Sequence, residues 1–239
     1  MLKNLLTFCL LGGVCLLLAK QTSTTNVTAN HRNAEVLSAP RSLFPPLLSP
    51  EQEIELALKA GPAHLRDAAT VYVFGEKGYQ KARTGTNGFN CLVNRDGIQN
   101  GDTAVHPTCW DPEGSRTILP VMLRVGELLA QRKSAAEIKH DIDEGFTQGR
   151  FRSPAKTGIA YMLAGDVKFD PKTEQFSSVA FPPHYMIYAP GVTNDDIGLT
   201  REARQNTPGL PFIYSGYSGG SRTAYIIVMA AGSAGHAMN

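Results

Sequence analysis

The hydrophobic and polar positions of this chain change period several times, and each change marks an element. Ser49-Pro50-Glu51-Gln52 places a hydroxyl at a helix N-cap, proline at the first helical position and glutamine three residues after the cap, which together make a capping box. Ile54, Ala57 and Leu58 follow at helical spacing, and Gly61-Pro62 ends the helix. A short helical turn fits residues 63–68. The pattern then becomes β-branched and aromatic at Thr70-Val71-Tyr72-Val73-Phe74. A turn at Gly75-Glu76-Lys77-Gly78 returns a second strand over 79–83, and Asn87-Gly88 precedes a third over 89–93. The connections are too short for parallel crossovers, so an antiparallel meander is the economical arrangement. Residues 92–108, with Asn94-Arg95-Asp96-Gly97 and Asn100-Gly101-Asp102, read as a polar excursion rich in turns.

Two helices follow. Over 120–132 the residues Val121, Val125, Leu128 and Leu129 share one face, and Ser134-Ala135-Ala136-Glu137 is a second capping box that opens a helix with Ile138 and Ile142 inward and Gly145 at its end. Strand patterns return at 158–164, 174–180, 185–188, 211–214 and 224–230, with a turn at Asp170-Pro171-Lys172-Thr173. The last strand is continuously apolar, as a central strand would be. Strands, a helix pair and more strands predict an α+β fold: a mostly antiparallel sheet with an N-terminal helix and an αα-hairpin packed on it.

The ends of the chain read differently. One positive charge at Lys3 precedes an apolar run over 5–19 and a polar flank at Lys20-Gln21-Thr22-Ser23, the layout of a secretory signal peptide over 1–19, with an uncleaved anchor as the alternative. The run is shorter than the ~18–20 apolar residues of a membrane span, and no span is expected in the mature chain. Val14 before Cys15 and the leucines after it argue against lipidation, so Cys9 and Cys15 leave with the signal. Residues 20–48 read as a flexible linker carrying an acceptor-type Asn26-Val27-Thr28, residues 49–231 as one domain, and 232–239 as a loose tail. With 23 basic and 21 acidic residues and no run of like charge, nothing attracts nucleic acid, so the helix pair is read as an ordinary αα-hairpin rather than a DNA-reading unit.

Two cysteines then remain, Cys91 and Cys109. In an oxidising compartment they are expected to pair, closing a loop of about 18 residues worth roughly 3 kcal/mol. Their place at the ends of the polar excursion suggests restraint of a surface loop rather than of the core. The functional alternative is a free thiol at Cys91 with His184 as its base.

Several patterns resemble chemistry without its context. Gly216-Tyr217-Ser218-Gly219-Gly220 matches the nucleophile elbow, but a strand rather than a helix follows, and no acid lies downstream of Ser218. It reads as a hairpin rich in Gly and Ser. His106 and Cys109 lack the repeated spacing of a zinc site, Asn194-Asp195-Asp196 lacks the alternation of a calcium loop, and nothing points to a metal or cofactor. The segment Phe181-Pro182-Pro183-His184-Tyr185-Met186-Ile187-Tyr188 stands apart. His184, Met186 and Tyr188 share one strand face, so His184 is either a hydrogen-bonded structural residue or part of a polar pocket, with Tyr185 and Tyr188 as candidate binding residues and Asp195 and Asp196 in the following loop.

Gly85-Thr86-Asn87-Gly88-Phe89-Asn90-Cys91-Leu92-Val93, Glu113-Gly114-Ser115-Arg116-Thr117, Phe181-Pro182-Pro183-His184 and Tyr188-Ala189-Pro190 together resemble a group of secreted bacterial proteins of unknown function. The resemblance spans most of the mature domain and implies a bacterial envelope or extracellular setting. It supplies no activity. Two expectations result: a non-catalytic secreted or periplasmic domain that binds a small molecule or a surface partner, or an extracytoplasmic hydrolase built on His184 with Asp196 or Arg116, or with a free Cys91.

Overall fold

Ser49 caps the first helix as its box predicts. In the computed structural model, which describes residues 47–170 and 175–231 (backbone only for 169, 170 and 175–180), Ser49 Oγ accepts from Gln52 N and Gln52 Oε1 accepts from Ser49 N, both at 3.2 Å. The expected signal peptide, most of the linker with Asn26, the tail and three residues of the turn after Asp170 lie outside the described residues. Helix α1 (Pro50–Lys59) leads through α2 (Ala63–Arg66) into strand β1 (Thr70–Gly75) and its hairpin partner β2 (Gly78–Arg83).

The meander stops there. Strand β3 (Asn90–Asn94) returns to the far side of β1 and runs parallel to it, pairing Thr70 with Asn90 and Val71 with Cys91. The antiparallel expectation for these three strands is therefore corrected: β2 itself is the crossover. Burial explains the order. β2 is largely exposed and suits a sheet edge, whereas Cys91, Leu92 and Val93 are all buried and need neighbours on both sides.

The polar excursion is shorter than expected, because its second half is strand β4 (Ala104–Trp110), antiparallel to β3. Cys91 and Cys109 face each other across this pair, Cα to Cα 4.0 Å, and form a disulfide. Both are buried with Ala57, Ala60, Val71, Val93 and Val105 beneath α1. The staple thus lies in a core beneath α1 instead of restraining a surface loop. It also leaves no thiol at Cys91.

On the opposite face lie α3 (Pro112–Thr117), α4 (Leu119–Ala130) and α5 (Ala135–Thr147). Asp111 caps α3 by accepting from Gly114 N at 2.9 Å, and Ser134 with Glu137 forms the anticipated box on α5. Val121, Val125, Leu128, Leu129, Ile138 and Ile142 pack against Leu92, Trp110, Met186 and Tyr188 from the sheet. The fold is α+β, as expected.

The remaining strands are β5 (Ile159–Met162), β6 (Asp166–Asp170), β7 (Gln175–Phe181), β8 (His184–Tyr188), β9 (Phe212–Tyr214) and β10 (Tyr225–Met229). A path of eight strands runs β2-β1-β3-β4-β5-β8-β10-β9, and the β6–β7 hairpin joins it through β4. The apolar β10 sits between β8 and β9. β5 with β6, and β7 with β8, are two long strands of one ribbon bent at a corner. Leu163-Ala164-Gly165 makes one bend, with Gly165 at φ 68°, and Pro182-Pro183 makes the other. As a result β4 changes partner along one edge: Ala104 and Val105 pair with β6, Cys109 and Trp110 with β5.

One buried ion pair ties α1 to the sheet. Glu53 Oε1 accepts from Arg95 Nη1 at 2.7 Å and from Phe74 N at 2.9 Å, and Glu53 Oε2 accepts from Arg95 Nη2 at 3.0 Å. Neither side chain is more than 1% exposed. Glu53→Ala would strand the guanidinium, and we expect a loss of about 3–5 kcal/mol in chemical denaturation, with much of it recovered in a Glu53→Leu/Arg95→Met double variant. Non-reduced mass spectrometry should find no titratable thiol at Cys91 or Cys109, and removing both cysteines should cost about 2–4 kcal/mol.

Candidate functional site

The split edge of β4 opens a cavity of about 390 Å³ on the α4 side of the sheet. Alternation along the strands supplies its walls: His106, Thr108 and Trp110 from β4, His184 and Met186 from β8, Tyr225 and Ile227 from β10. Met122 of α4 and Met162 of β5 add to the apolar surface. Toward the ribbon corner the lining turns polar, with Asp96, Asp102, Asp166 and His106, and Tyr214 and Tyr217 stand at a more exposed margin.

Two loops close one wall by binding each other. Asp96 accepts from Ser218 N at 3.0 Å, from Ser218 Oγ, and from Gln99 Nε2 at 2.7 Å. Asp102 accepts from Tyr217 Oη at 3.0 Å and from Ala104 N at 2.9 Å. Gly97 has φ 127°, and a Cβ there would lie 2.6 Å from the Tyr217 ring, so conformation and space both require glycine. Asp96 and Asp102 therefore act first as clamps on the loop that carries Tyr217 and Ser218. Ser218 is buried, and its hydroxyl donates to the Asp96 carboxylate.

His106 stands between two carboxylates. Nδ1 lies 2.9 Å from Asp166 Oδ1, while Nε2 is 3.4 Å from Asp102 Oδ2, close enough for ion pairing but not aligned as a hydrogen bond. Burial opposes a charge on this ring, yet Asp102 and Asp166 overcome it and lift the imidazole pKa to about 9. The contact with His106 is likewise the main reason that Asp102 is held down to about 2. His184 behaves oppositely. It is 3% exposed, and burial depresses its pKa although the Pro182 carbonyl, 2.8 Å from Nδ1, and the nearby Asp166 favour the charged form. A neutral His184 donates from Nδ1 to that carbonyl, which leaves Nε2 as an acceptor on the cavity wall.

A row of rings runs from His184 toward the rim. The His184 and Phe181 rings meet edge to face at 5.0 Å, Phe181 and Phe212 at 6.1 Å, and the exposed Arg204 guanidinium lies 4.8 Å from the Phe212 centroid. Arg204 belongs to α6 (Arg201–Asn206), a short helix in the 190–211 connection with no buried residue.

Among the residues singled out from the sequence, His184 lines this cavity, on the strand face expected. Tyr188 shares that face but lies deeper, its hydroxyl 2.7 Å from Asp111 Oδ1 and 2.9 Å from the Ile159 carbonyl. Tyr185 points to the other face and packs edge to face on Tyr161 at 6.0 Å. Asp196 is exposed, and its carboxylate accepts from Thr193 N and Oγ1, each at 2.8 Å. Arg116 is on α3, 61% exposed and paired with Glu113. Asp196, Arg116, Tyr185 and Tyr188 are not among the residues lining the cavity. Three aspartates, His106, Arg204 and the ring row were not anticipated. The alternation His106-Thr108-Trp110 was the available signal, and Pro107 obscured it.

Among the described residues, no three His, Cys, Asp or Glu side chains converge to hold a metal ion, because Asp102 and Asp166 address opposite edges of His106 instead of a common point. No helix among them is long and apolar enough to cross a membrane. Comparison with family models, curated proteins and solved structures gives no match to any of the three.

The two histidines predict opposite limbs of a stability profile. His106 takes up its proton more readily when folded, so its contribution is complete below about pH 6.5 and is lost as pH rises through about 9. That loss is on the order of 3 kcal/mol. His184 resists protonation when folded, so stability falls as pH drops below about 6.5. Melting temperatures measured from pH 5 to 10 should decline on both sides, and His106→Gln should flatten the alkaline limb alone.

Proposed function

We propose that this chain is an extracytoplasmic, non-catalytic domain that holds a small molecule in the cavity beneath the β4 fork. The observation that carries this reading is the cavity itself: about 390 Å³, walled by Trp110, Met122, Met162, Met186 and Ile227, with polar groups gathered toward one end. Preformed apolar concavities with a few placed polar groups are the usual form of small-molecule sites, and this volume is typical of them. The extracytoplasmic setting is supported by the buried Cys91–Cys109 disulfide and by the charged and then apolar beginning of the chain.

A binding role is favoured over hydrolysis by how the polar groups are engaged. Asp96 and Asp102 hold loops together, the Ser218 hydroxyl is taken by Asp96, and Cys91 is oxidised. The Tyr217 hydroxyl, at the more exposed margin, is likewise spent on Asp102 as a loop clamp.

The test is a thermal-shift and native mass spectrometry screen of the disulfide-bonded protein against a library of polar metabolites and amphipathic small molecules. A ligand should raise the melting temperature in proportion to the logarithm of its concentration once it is in excess. Met186→Trp, which extends a lining side chain into the cavity, should weaken that ligand by at least about tenfold, the loss expected when a well-filled apolar site is obstructed. A ligand that binds this variant as well as the wild type would place binding elsewhere, and conversion of a ligand to product would replace the binding reading with an enzymatic one.

A further inference from the structure

Two acceptors in the cavity are left without partners. Nδ1 of His184 is taken by the Pro182 carbonyl, and Nε2 meets no hydrogen-bond partner among the described residues. Asp166 gives Oδ1 to His106 and has no second hydrogen-bond partner among them for its other oxygen. The fold brings these groups close together. Asp166 opposes Phe181 across the bent ribbon, the Phe181 ring touches His184, and the Asp166 charge is felt at His184. Clamps take up the carboxylates of Asp96 and Asp102, but nothing comparable satisfies these two acceptors.

The charge around them has one sign in excess. Asp96, Asp102 and Asp166 face two cations, His106 and Arg204, and Arg204 is at the exposed rim and stacked on Phe212. Burial is the largest cause of the raised Tyr214 pKa, the neighbouring Tyr217 is next, and Asp96, Asp166 and Asp102 each add to it. Phe181, Phe212 and Tyr214 meanwhile offer aromatic surface, which favours a cation over a neutral group of the same size.

We infer that the ligand is an organic ammonium: an amphipathic amine whose N–H groups are received by His184 Nε2 and the second oxygen of Asp166, with its apolar body against Phe181 and Phe212. This rests on the cavity being the binding site. A hydroxyl can supply one donor to one of these acceptors, whereas a primary ammonium supplies donors to both and neutralises the excess charge. A carboxylate or phosphate brings only acceptors to an acceptor-bearing, negatively biased wall.

Three probes with a common phenyl body separate these cases. Phenethylamine, 2-phenylethanol and 3-phenylpropionate are titrated calorimetrically at pH 7 into the full chain with its disulfide intact. Phenethylamine should bind at least about tenfold more tightly than the alcohol, as a charge-assisted hydrogen bond in a partly desolvated site allows, and the carboxylate should bind least. Asp166→Asn keeps an amide oxygen for His106 but removes the charge. It should weaken phenethylamine about tenfold and leave 2-phenylethanol within about twofold, a change of electrostatic origin. Circular dichroism establishes that the variant is folded. Where it is not, His184→Phe keeps a ring and removes the acceptor, and should weaken the amine in the same way. Equal binding of amine and alcohol, preference for the carboxylate, or an amine affinity unmoved by these variants overturns the inference. So does absence of phenethylamine binding at millimolar concentration. Alcohol or carboxylate binding that Met186→Trp abolishes would overturn the ammonium while keeping the cavity as the site. If none of the probes binds, the ammonium falls and the cavity stands or falls on the library screen.

Discussion

A strand that changes partner half-way along one edge leaves a gap in its hydrogen-bond ladder, and the cavity depends on that gap. In β4 it falls between Val105, the last residue paired to β6, and Cys109, the first paired to β5. Pro107 lies in between, a residue that cannot donate to a ladder. On the other edge β4 stays paired to β3 from His106 to Trp110, so the strand remains anchored while its free edge divides. The bends at 163–165 and at Pro182-Pro183 turn both strands of the ribbon at the same place. A flat continuation would instead have buried His106 and His184 inside the sheet's packed face, and no concavity would separate them.

Two devices on the α1 side hold β3 against this divergence, one tying it to β4 and the other tying its end to α1 and β1. The disulfide joins facing residues of the pair, and Glu53 binds both the Phe74 amide and the Arg95 guanidinium. A buried ion pair is weak evidence of net stability, since desolvation consumes most of the attraction. Its geometric role is clearer. Arg95 follows β3 directly, donates to the Val93 carbonyl at 3.0 Å, and lies 4.6 Å from the Phe74 ring centroid. The pair therefore fixes where β3 ends and where the loop bearing Asp96 and Gly97 begins. Asp96 then sets Ser218, and Gly97 admits Tyr217. A residue of α1 is in this way linked, through Arg95 and Asp96, to a loop that closes one wall of the cavity.

Local chemistry in the sequence was legible where it was self-contained. Ser49 with Gln52, Ser134 with Glu137, and the β1–β2 turn each carry their own signal within a few residues. The apolar residues of α4 and α5 also announced their buried face. What could not be read was pairing between distant segments. The placement of β3 beside β1 follows from β2 being too polar for the interior, a comparison that requires the whole sheet. β4 was hidden because Pro107 breaks a strand pattern and because Asp102 and Gly101 make its approach look like loop. The disulfide pair was identifiable, but its place beneath α1 was not, since that depends on Val71, Val93 and Val105 sharing a face. His184 was the one site residue visible in advance, because proline entry and strict alternation are both local. Asp166 and Arg204 are individually unremarkable residues that acquire meaning only through the bend and the 190–211 connection.

The two cavity histidines illustrate why residue type alone did not reveal the site. They line the same cavity and feel the same Asp166, yet the protein favours the charged form of one and the neutral form of the other. The difference lies in what each ring edge meets. His106 has a carboxylate at both nitrogens, so two anions offset its burial. His184 has a neutral carbonyl at one nitrogen and open cavity at the other, and the positive charge of His106 works against a second proton. His106 is thereby committed to joining β4, β6 and the 97–102 loop. That commitment leaves His184 as an uncharged acceptor on the same cavity wall as Asp166.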